Sequence, residues 1–142
     1  MMKNFYFEES NQKVSIGLIV YNGGKYLRGA LDSFLAQTFD DYEIIISDNA
    51  STDDTQIICE EYAALNHKIR YIRQSENQGP IFNFKYVLEQ ARGDYFMWAS
   101  HDDIFAPTYI SECLNVLTSN PDCISVCSNF NVIDLISNKI TE

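Results

Sequence analysis

The sequence predicts an α/β fold, in which a mostly parallel sheet is flanked by helices. Short apolar segments rich in β-branched residues alternate four times with amphipathic segments along the 142 residues. The connections between these segments are short, which favours parallel strands joined by right-handed helical crossovers. The length suits one domain, so we assign residues 1–13 to an N-terminal extension and residues 14–142 to the domain.

The first half of the chain predicts two strand-helix units. Residues 14–20 (VSIGLIV) form an apolar run that ends at the turn-forming sequence YNGG, and a helix is expected over residues 25–37. Its apolar side chains recur at helical spacing, and they are Leu27, Ala30, Leu31, Phe34 and Leu35. Residues 43–47 (EIIIS) predict the second strand. We expect the second helix to begin near Ser51, because Ser51 and Asp54 have the spacing of a capping box.

The second half repeats this pattern. Residues 68–73 (KIRYIR) alternate as in a strand, and Pro80 suits the first position of a third helix. A fourth strand is predicted over residues 94–99 (DYFMWA), and Pro107 opens a fourth helix. Residues 123–127 (CISVC) predict a fifth strand.

Composition and charge exclude several classes of protein. With 46% hydrophobic and 21% charged residues, the chain is neither disordered, nor collagen, nor a coiled coil. Twenty acidic residues against ten basic ones give a net charge of −10, which disfavours nucleic-acid binding through a basic patch. A protein this acidic is expected to need a divalent cation to bind a phosphorylated ligand.

The cysteines and the hydropathy pattern predict a cytoplasmic location. Cys59, Cys113, Cys123 and Cys127 include no C-x-x-C pair, which favours reduced thiols. The first residues lack the apolar stretch of a signal peptide, and no apolar run is long enough to span a membrane. Peripheral attachment at the inner face of the membrane is compatible with this location.

Polar residues follow three of the predicted strands, at the positions Tyr21-Asn22, Asp48-Asn49 and 100–103. Ligands of open α/β sheets bind outside the carboxyl ends of the strands, so these clusters predict a binding site along one edge. The phosphate loop G-x-x-x-x-G-K-S/T and the dinucleotide motif G-x-G-x-x-G are both absent. A receiver domain is also disfavoured, because Val20 and Tyr21 stand where its pair of acids would be.

Asp102 and Asp103 are candidate ligands for Mg²⁺ or Mn²⁺, since both ions prefer hard oxygen donors. Residues 93–138 contain six acids and neither Lys nor Arg, so no side-chain cation of that stretch can neutralise the pair. The alternative is a turn in which one of the two caps backbone amides. With His101 as the one nearby histidine, zinc is disfavoured.

Two further candidates have structural alternatives. Asp48 could form an Asx turn or a helix cap after its strand. Tyr21 could be an aromatic residue at the edge of the core.

Four segments in order, VSIGLIVYN, KYLRGALDSFLAQTFDDYEIIISDNASTDDT, ENQGPIFNF and GDYFMWASHDDIFAP, together carry a family pattern. They resemble the nucleotide-binding half of family 2 inverting glycosyltransferases, whose fold is the Rossmann-like GT-A fold. The resemblance runs from residue 14 to about residue 107. It implies that Asp48 hydrogen-bonds the nucleobase, that Tyr21 stacks near the base, that Asn22 belongs to the nucleotide-sugar site, and that His101 approaches the ribose.

The same resemblance implies that Asn77, Gly79 and Asn83 line the donor site, and that Asp102 holds a metal bridging the diphosphate. Two positions depart from the usual family pattern. Ile19 replaces a proline, which affects local backbone stiffness. Ser100 stands where many members carry the first acid of the metal motif, so metal binding rests on Asp102 and Asp103.

By resemblance, the parent enzyme transfers a sugar from a nucleotide-diphospho-sugar to a hydroxyl acceptor, a sugar or a lipid-linked glycan, during polysaccharide or glycoconjugate assembly. Family members usually continue for a second half beyond the nucleotide-binding half. That second half carries the acceptor site and the catalytic base. We therefore assign no catalytic residue here, and expect this chain alone to be inactive and to form a homodimer. The alternatives are a non-catalytic nucleotide-sugar binding module and an interaction domain.

Overall fold

Four parallel strands form the central sheet in the computed structural model, which describes residues 14–134 and 139–141. The strands are β1 (Val14–Val20), β2 (Tyr42–Asp48), β3 (Ile69–Arg73) and β4 (Tyr95–Ser100), in the spatial order β3-β2-β1-β4. The helices between and after them are α1 (Gly24–Leu35), α2 (Thr55–Leu65), α3 (Pro80–Glu89) and α4 (Tyr109–Ser119). The predicted α/β fold is confirmed. The assigned N-terminal extension lies outside the described residues.

The strand register aligns the carboxyl ends of all four strands. Val20 pairs with Asp48, Asp48 pairs with Arg73, and Ile19 pairs with Ser100. The polar residues that follow β1, β2 and β4 therefore meet along one edge of the sheet.

The core lies around the two central strands. Every residue of β2 is buried, and β1 is buried except for a partly exposed Ile19. This agrees with the apolar runs expected of parallel strands covered on both faces. The predicted face of α1 packs onto them, with Leu27, Ala30, Leu31 and Phe34 all fully buried.

The second helix begins later than the sequence predicts. Helix α2 starts at Thr55 with Asp54 as its N-cap residue, so the expected start near Ser51 is wrong. The capping-box spacing misled because Ser51 Oγ accepts the Asn22 N–H of the loop after β1, and Asp54 makes no side-chain cap bond.

The predicted fifth strand at residues 123–127 is also wrong, because this segment forms no ladder. Cys123 bonds locally: its N–H donates to the Asn120 carbonyl at 2.8 Å, and its Sγ lies 3.1 Å from the Ser125 carbonyl oxygen. The next strands, β5 (Val132–Asp134) and β6 (Lys139–Thr141), form a separate antiparallel pair. Strand propensity without a ladder partner does not make a strand.

Two findings concern the cysteines and the length of the helices. All four cysteines are unpaired, and burial raises the pKa of the Cys59 thiol to about 12. Within the described residues, no helix combines the length and apolarity needed to cross a bilayer.

Two non-glycine residues at the carboxyl edge adopt left-handed backbone conformations, Asn22 with φ 52° and Ala50 with φ 61°. Asparagine tolerates this region, whereas alanine meets a steric penalty of about 1–2 kcal/mol. Ala50 is therefore a strained point in the turn after β2.

We expect Ala50→Gly to stabilise the protein by about 0.5–1 kcal/mol, because glycine removes the steric penalty but loses more backbone entropy on folding. Urea unfolding measures the change. The matched control is Ala64→Gly in α2, which should destabilise by about 1 kcal/mol because its backbone is helical. Equal losses in both variants would contradict the assigned strain.

Candidate functional site

A cavity of about 310 Å³ opens at the carboxyl edge of the sheet, beside the ends of β1 and β4 and the start of α3. Four residues singled out from the sequence line it: Tyr21, Asn77, Asn83 and His101. Asn49 and Ser100 also line it. Asn22, Asp48, Gly79 and Asp102 do not line it but adjoin lining residues in sequence, and Asp103 lies one residue further along.

A second cavity, of about 250 Å³, lies at the amino-terminal half of β4 against α4. Tyr109, Cys113 and residues 124–126 line part of it. None of the residues predicted for the site belongs to this cavity, so the candidate site is the first one.

The carboxylate of Asp48 is fully buried at the end of β2. Its Oδ1 accepts a hydrogen bond from the Ser51 N–H at 2.8 Å, and its Oδ2 accepts one from the Tyr71 hydroxyl at 2.8 Å. Arg73 Nε lies 3.5 Å from Oδ2. The bond from Ser51 forms the Asx turn that the sequence left open as an alternative. Asp48 therefore stabilises the carboxyl edge of the sheet through a buried side chain.

Tyr71 and Arg73 were not predicted as site residues, although they hold the Asp48 carboxylate. The alternation in KIRYIR places both on one side of β3, and the parallel register sets Arg73 beside Asp48. Burial and, next, the hydrogen bond to Asp48 raise the pKa of Tyr71 well above its ordinary value. Arg73 also donates from Nη2 to the Ser51 carbonyl at 2.9 Å, which fixes the turn from a second direction.

Asn22 connects the loop after β1 to the loop after β2. Its backbone N–H donates to Ser51 Oγ at 2.9 Å, and its Oδ1 accepts the Thr52 N–H at 2.8 Å. Tyr21, the preceding residue, keeps 45% of its surface exposed at the cavity. The two loops therefore hold each other, and Tyr21 stays available to a ligand.

Asp53 and Thr55 bind the next two backbone amides of that first loop. Gly23 N–H donates to Thr55 Oγ1 at 3.0 Å, and Gly24 N–H donates to Asp53 Oδ2 at 3.0 Å. Burial opposes ionisation of Asp53, but the hydrogen bonds from Thr55 and Gly24 outweigh it and lower its pKa. The start of α1 is thus tied to the start of α2.

Asn83 is buried and ties α3 to the sheet. Its Nδ2 donates to the Ser47 carbonyl at 2.8 Å, and the Ser47 hydroxyl donates to its Oδ1. Gln74 Nε2 donates to the same Ser47 hydroxyl at 3.1 Å. Asn83 therefore supports the cavity wall that it lines.

The loop before α3 is held by Asn49, whose role the sequence did not reveal. Asn49 Nδ2 donates to Asn77 Oδ1 at 2.8 Å and to the Gly79 carbonyl at 3.2 Å, and its Oδ1 accepts the Gln78 N–H at 3.0 Å. The polar cluster Asp48-Asn49 was visible in the sequence, but its partner loop lies 28 residues further along the chain.

His101 packs its imidazole against the backbone of Gly23. A Cβ at Gly23 would overlap this ring, so glycine is required there for the close approach of the two loops. The contact brings the end of β4 next to the loop after β1.

Asp102 and Asp103 follow His101 and are both exposed. The Ser100 hydroxyl donates a hydrogen bond to Asp102 Oδ1. No three His, Cys, Asp or Glu side chains among the described residues could together hold a metal ion. Two adjacent carboxylates nevertheless fit Mg²⁺, which is often held by one or two carboxylates and completed by substrate phosphates and water.

Comparison with known protein families gives one assignment. The family model described as Glycosyl transferase family 2 matches residues 15–139. An uncharacterized glycosyltransferase of Rickettsia typhi is 39% identical over 129 residues, covering 89% of this chain and 39% of the relative. EpsH of Bacillus subtilis is 35% identical, covering 81% and 33%. The chain thus spans well under half the length of these relatives.

Solved structures share the fold. S. aureus TarS in complex with UDP-GlcNAc has a TM-score of 0.71 at 25% identity, covering 76% of this chain and 32% of that chain. The mannosyltransferase PcManGT from Pyrobaculum calidifontis, in complex with GDP-Man and Mn²⁺, has a TM-score of 0.69 at 20% identity, covering 74% and 32%. These likenesses confirm the Rossmann-like GT-A fold implied by the motifs.

We expect Tyr71→Phe to change how stability depends on pH. The raised pKa of Tyr71 means that its stabilising contribution is complete below the unfolded tyrosine pKa of about 10 and is lost as pH rises above it. Urea unfolding between about pH 8 and 11 should show a steeper alkaline loss in the wild type than in the variant. Tyr21→Phe, at an exposed ring, is the control and should keep the wild-type slope. Equal slopes in wild type and Tyr71→Phe would contradict this assignment.

Proposed function

Because the chain belongs to glycosyl transferase family 2, we propose that it is the donor-binding part of an enzyme that transfers a sugar from a nucleotide-diphospho-sugar to a hydroxyl acceptor. The observation that carries this proposal is the cavity at the carboxyl edge, where Tyr21, Asn77, Asn83 and His101 converge beside Asp102. This is the position at which open α/β sheets bind ligands.

The likeness to TarS supports a nucleotide-sugar as the ligand class. That protein was solved with UDP-GlcNAc, and it resembles this chain in fold at 25% identity. The base and the sugar that this chain accepts are to be found by experiment, so a panel of nucleotides is the appropriate probe.

We assign the nucleotide to the side of the cavity formed by Tyr21, Asn77 and Asn83. Tyr21 offers an exposed aromatic face on which a base can stack. Gly79, next to the lining residue Pro80, is assigned to the same side, and His101 is assigned to the ribose. Asn22 acts by holding Tyr21 in place through its own loop contacts.

Asp48 is assigned to the base as well. A carboxylate has about four lone-pair sites, and Ser51, Tyr71 and Arg73 approach it at three of them. The remaining site, on Oδ1, is the one that a base N–H would use. In this structure the carboxylate is fully buried and does not line the cavity, so a base reaches it only if the turn after β2 shifts.

The diphosphate is assigned to the acidic end of the cavity, with Asp102 and Asp103 as the residues that would hold Mg²⁺ or Mn²⁺. When bound, the ion would neutralise the charge of the leaving diphosphate as a Lewis acid. Since residues 93–138 carry six acids and no Lys or Arg, the residues of this stretch cannot supply that charge themselves.

The acceptor side is also part of the proposal. Inverting transfer needs a general base beside the acceptor hydroxyl, and the carboxylates at this edge are assigned to the donor and the metal. We place the base and the acceptor site in sequence beyond this chain, as the greater length of the relatives supports. This chain alone would then bind donor without efficient turnover. A cytoplasmic location suits such a donor and is proposed with it.

Self-association is proposed for the chain by itself. Ile124, Phe130 and Val132 are exposed by 97%, 84% and 60%, which is unusual for large apolar side chains close together in sequence. Covering them in a homodimer is the simplest arrangement.

We expect binding of UDP, GDP or dTDP to depend on Mn²⁺ through Asp102. Calorimetric titration should show at least one nucleotide binding about 10- to 100-fold more tightly with Mn²⁺ than with a chelator, the scale of a charged interaction. Asp102→Asn should remove this gain, whereas Asp122→Asn, the same charge change in an exposed residue after α4, should keep it. Equal binding in Mn²⁺ and chelator would exclude the metal role.

We expect Asp48→Ala to weaken nucleotide binding by about 1–3 kcal/mol through a lost base hydrogen bond. The variant should also be less stable, because the hydroxyl of the partly buried Tyr71 and the guanidinium of Arg73 lose their partner. Tyr71→Phe is the control, since it loses one bond to Asp48 but keeps the carboxylate. The affinity is measured under conditions where the variant is folded. An unchanged nucleotide affinity in Asp48→Ala would show that Asp48 forms the turn and does not bind the base.

A further inference from the structure

The side chain of Asn49 is almost entirely buried, with 2% of the residue surface exposed, at the base of the cavity. Its amide contacts three consecutive residues of one loop: Asn77 and Gly79 accept from Nδ2 at 2.8 and 3.2 Å, and the Gln78 N–H donates to Oδ1 at 3.0 Å. Both N–H donors and one lone pair of the amide are therefore used within the protein.

Asn49 is attached to the end of the sheet. Its own N–H donates to the Val20 carbonyl of β1 at 2.9 Å, and the preceding residue, Asp48, is fixed by Ser51, Tyr71 and Arg73. The amide is thus presented from the end of the buried sheet.

The loop that it holds has little else to fix its shape. Asn77 and Gln78 are exposed, and within the loop Asn77 Oδ1 accepts the Gly79 N–H at 2.9 Å. Gly79 has φ 83°, and a Cβ built there would meet nothing within 4 Å. The Gly79 backbone is held by hydrogen bonds: its N–H donates to Asn77 Oδ1, and its carbonyl accepts from Asn49 Nδ2 at 3.2 Å and from the Asn83 N–H at 3.4 Å.

From these contacts we infer that Asn49 is a positioning residue that holds residues 77–79 in one conformation, and so keeps Asn77 in place in the wall of the donor cavity. The identity of the ligand in this inference rests on the proposed function. The contacts by which Asn49 holds the loop do not depend on it. Because the loop is ordered before the ligand binds, binding does not carry the entropic cost of ordering it. Asn49 therefore increases the affinity for the ligand. Asn49 acts through the loop, because its polar atoms are already engaged by it.

Three variants test the inference: Asn49→Ala, Asn77→Ala and the double variant. The measurements are hydrogen exchange of single amides and calorimetric affinity for UDP, GDP and dTDP with Mn²⁺. The matched control is Asn66→Ala, which removes a side-chain bond to the Lys68 N–H at the opposite end of β3. It should leave both readouts unchanged.

We expect faster exchange at the Gly79 amide in Asn49→Ala, although that amide is bonded to Asn77 and not to Asn49. Nucleotide affinity should fall by about tenfold, as for one lost hydrogen-bonded constraint. The double variant should lose less than the product of the two single losses, because both act through the same loop.

Unchanged exchange at Gly79 would overturn the inference. Independent, multiplying losses in the double variant would also overturn it, because they would mean that Asn49 contacts the ligand directly. If the wild type binds none of the three nucleotides, the proposed donor site is wrong, and the exchange rates then decide by themselves whether Asn49 holds the loop.

Discussion

The burial of one carboxylate, that of Asp48, governs the architecture of the carboxyl edge. An unpaired buried charge costs several kcal/mol, so this group must be compensated where it stands. The Ser51 N–H, the Tyr71 hydroxyl and Arg73 supply the compensation from three directions. These contacts tie the turn after β2 to the end of β3, and fix both relative to the sheet.

The turn after β2 also positions the neighbouring loops of the carboxyl edge. Ser51 holds the backbone of Asn22, and with it the exposed ring of Tyr21. Asn49, on the other side of the same turn, holds the loop before α3. Two walls of the cavity thus depend on one turn, which explains why the turn tolerates the left-handed Ala50.

Charge is distributed unevenly around the cavity. Arg73 lies on the β3 side and forms an ion pair with Asp48. The β4 side carries Asp102 and Asp103, for which the described residues show no ion pair. A phosphorylated ligand would meet repulsion on that side unless a cation accompanied it. This asymmetry is what makes a metal-assisted diphosphate site a physically consistent proposal for a protein of net charge −10.

The sequence by itself determined the α/β fold, the four parallel strands and the face of α1, because apolar periodicity reports burial directly. It also placed the polar clusters at strand ends. Only the tertiary structure decided that Asn49, Tyr71 and Arg73 belong to the edge, that α2 begins at Thr55, and that residues 123–127 form no strand. These features depend on hydrogen-bond partners some 20 to 30 residues away, or on a missing ladder partner, which local patterns cannot report.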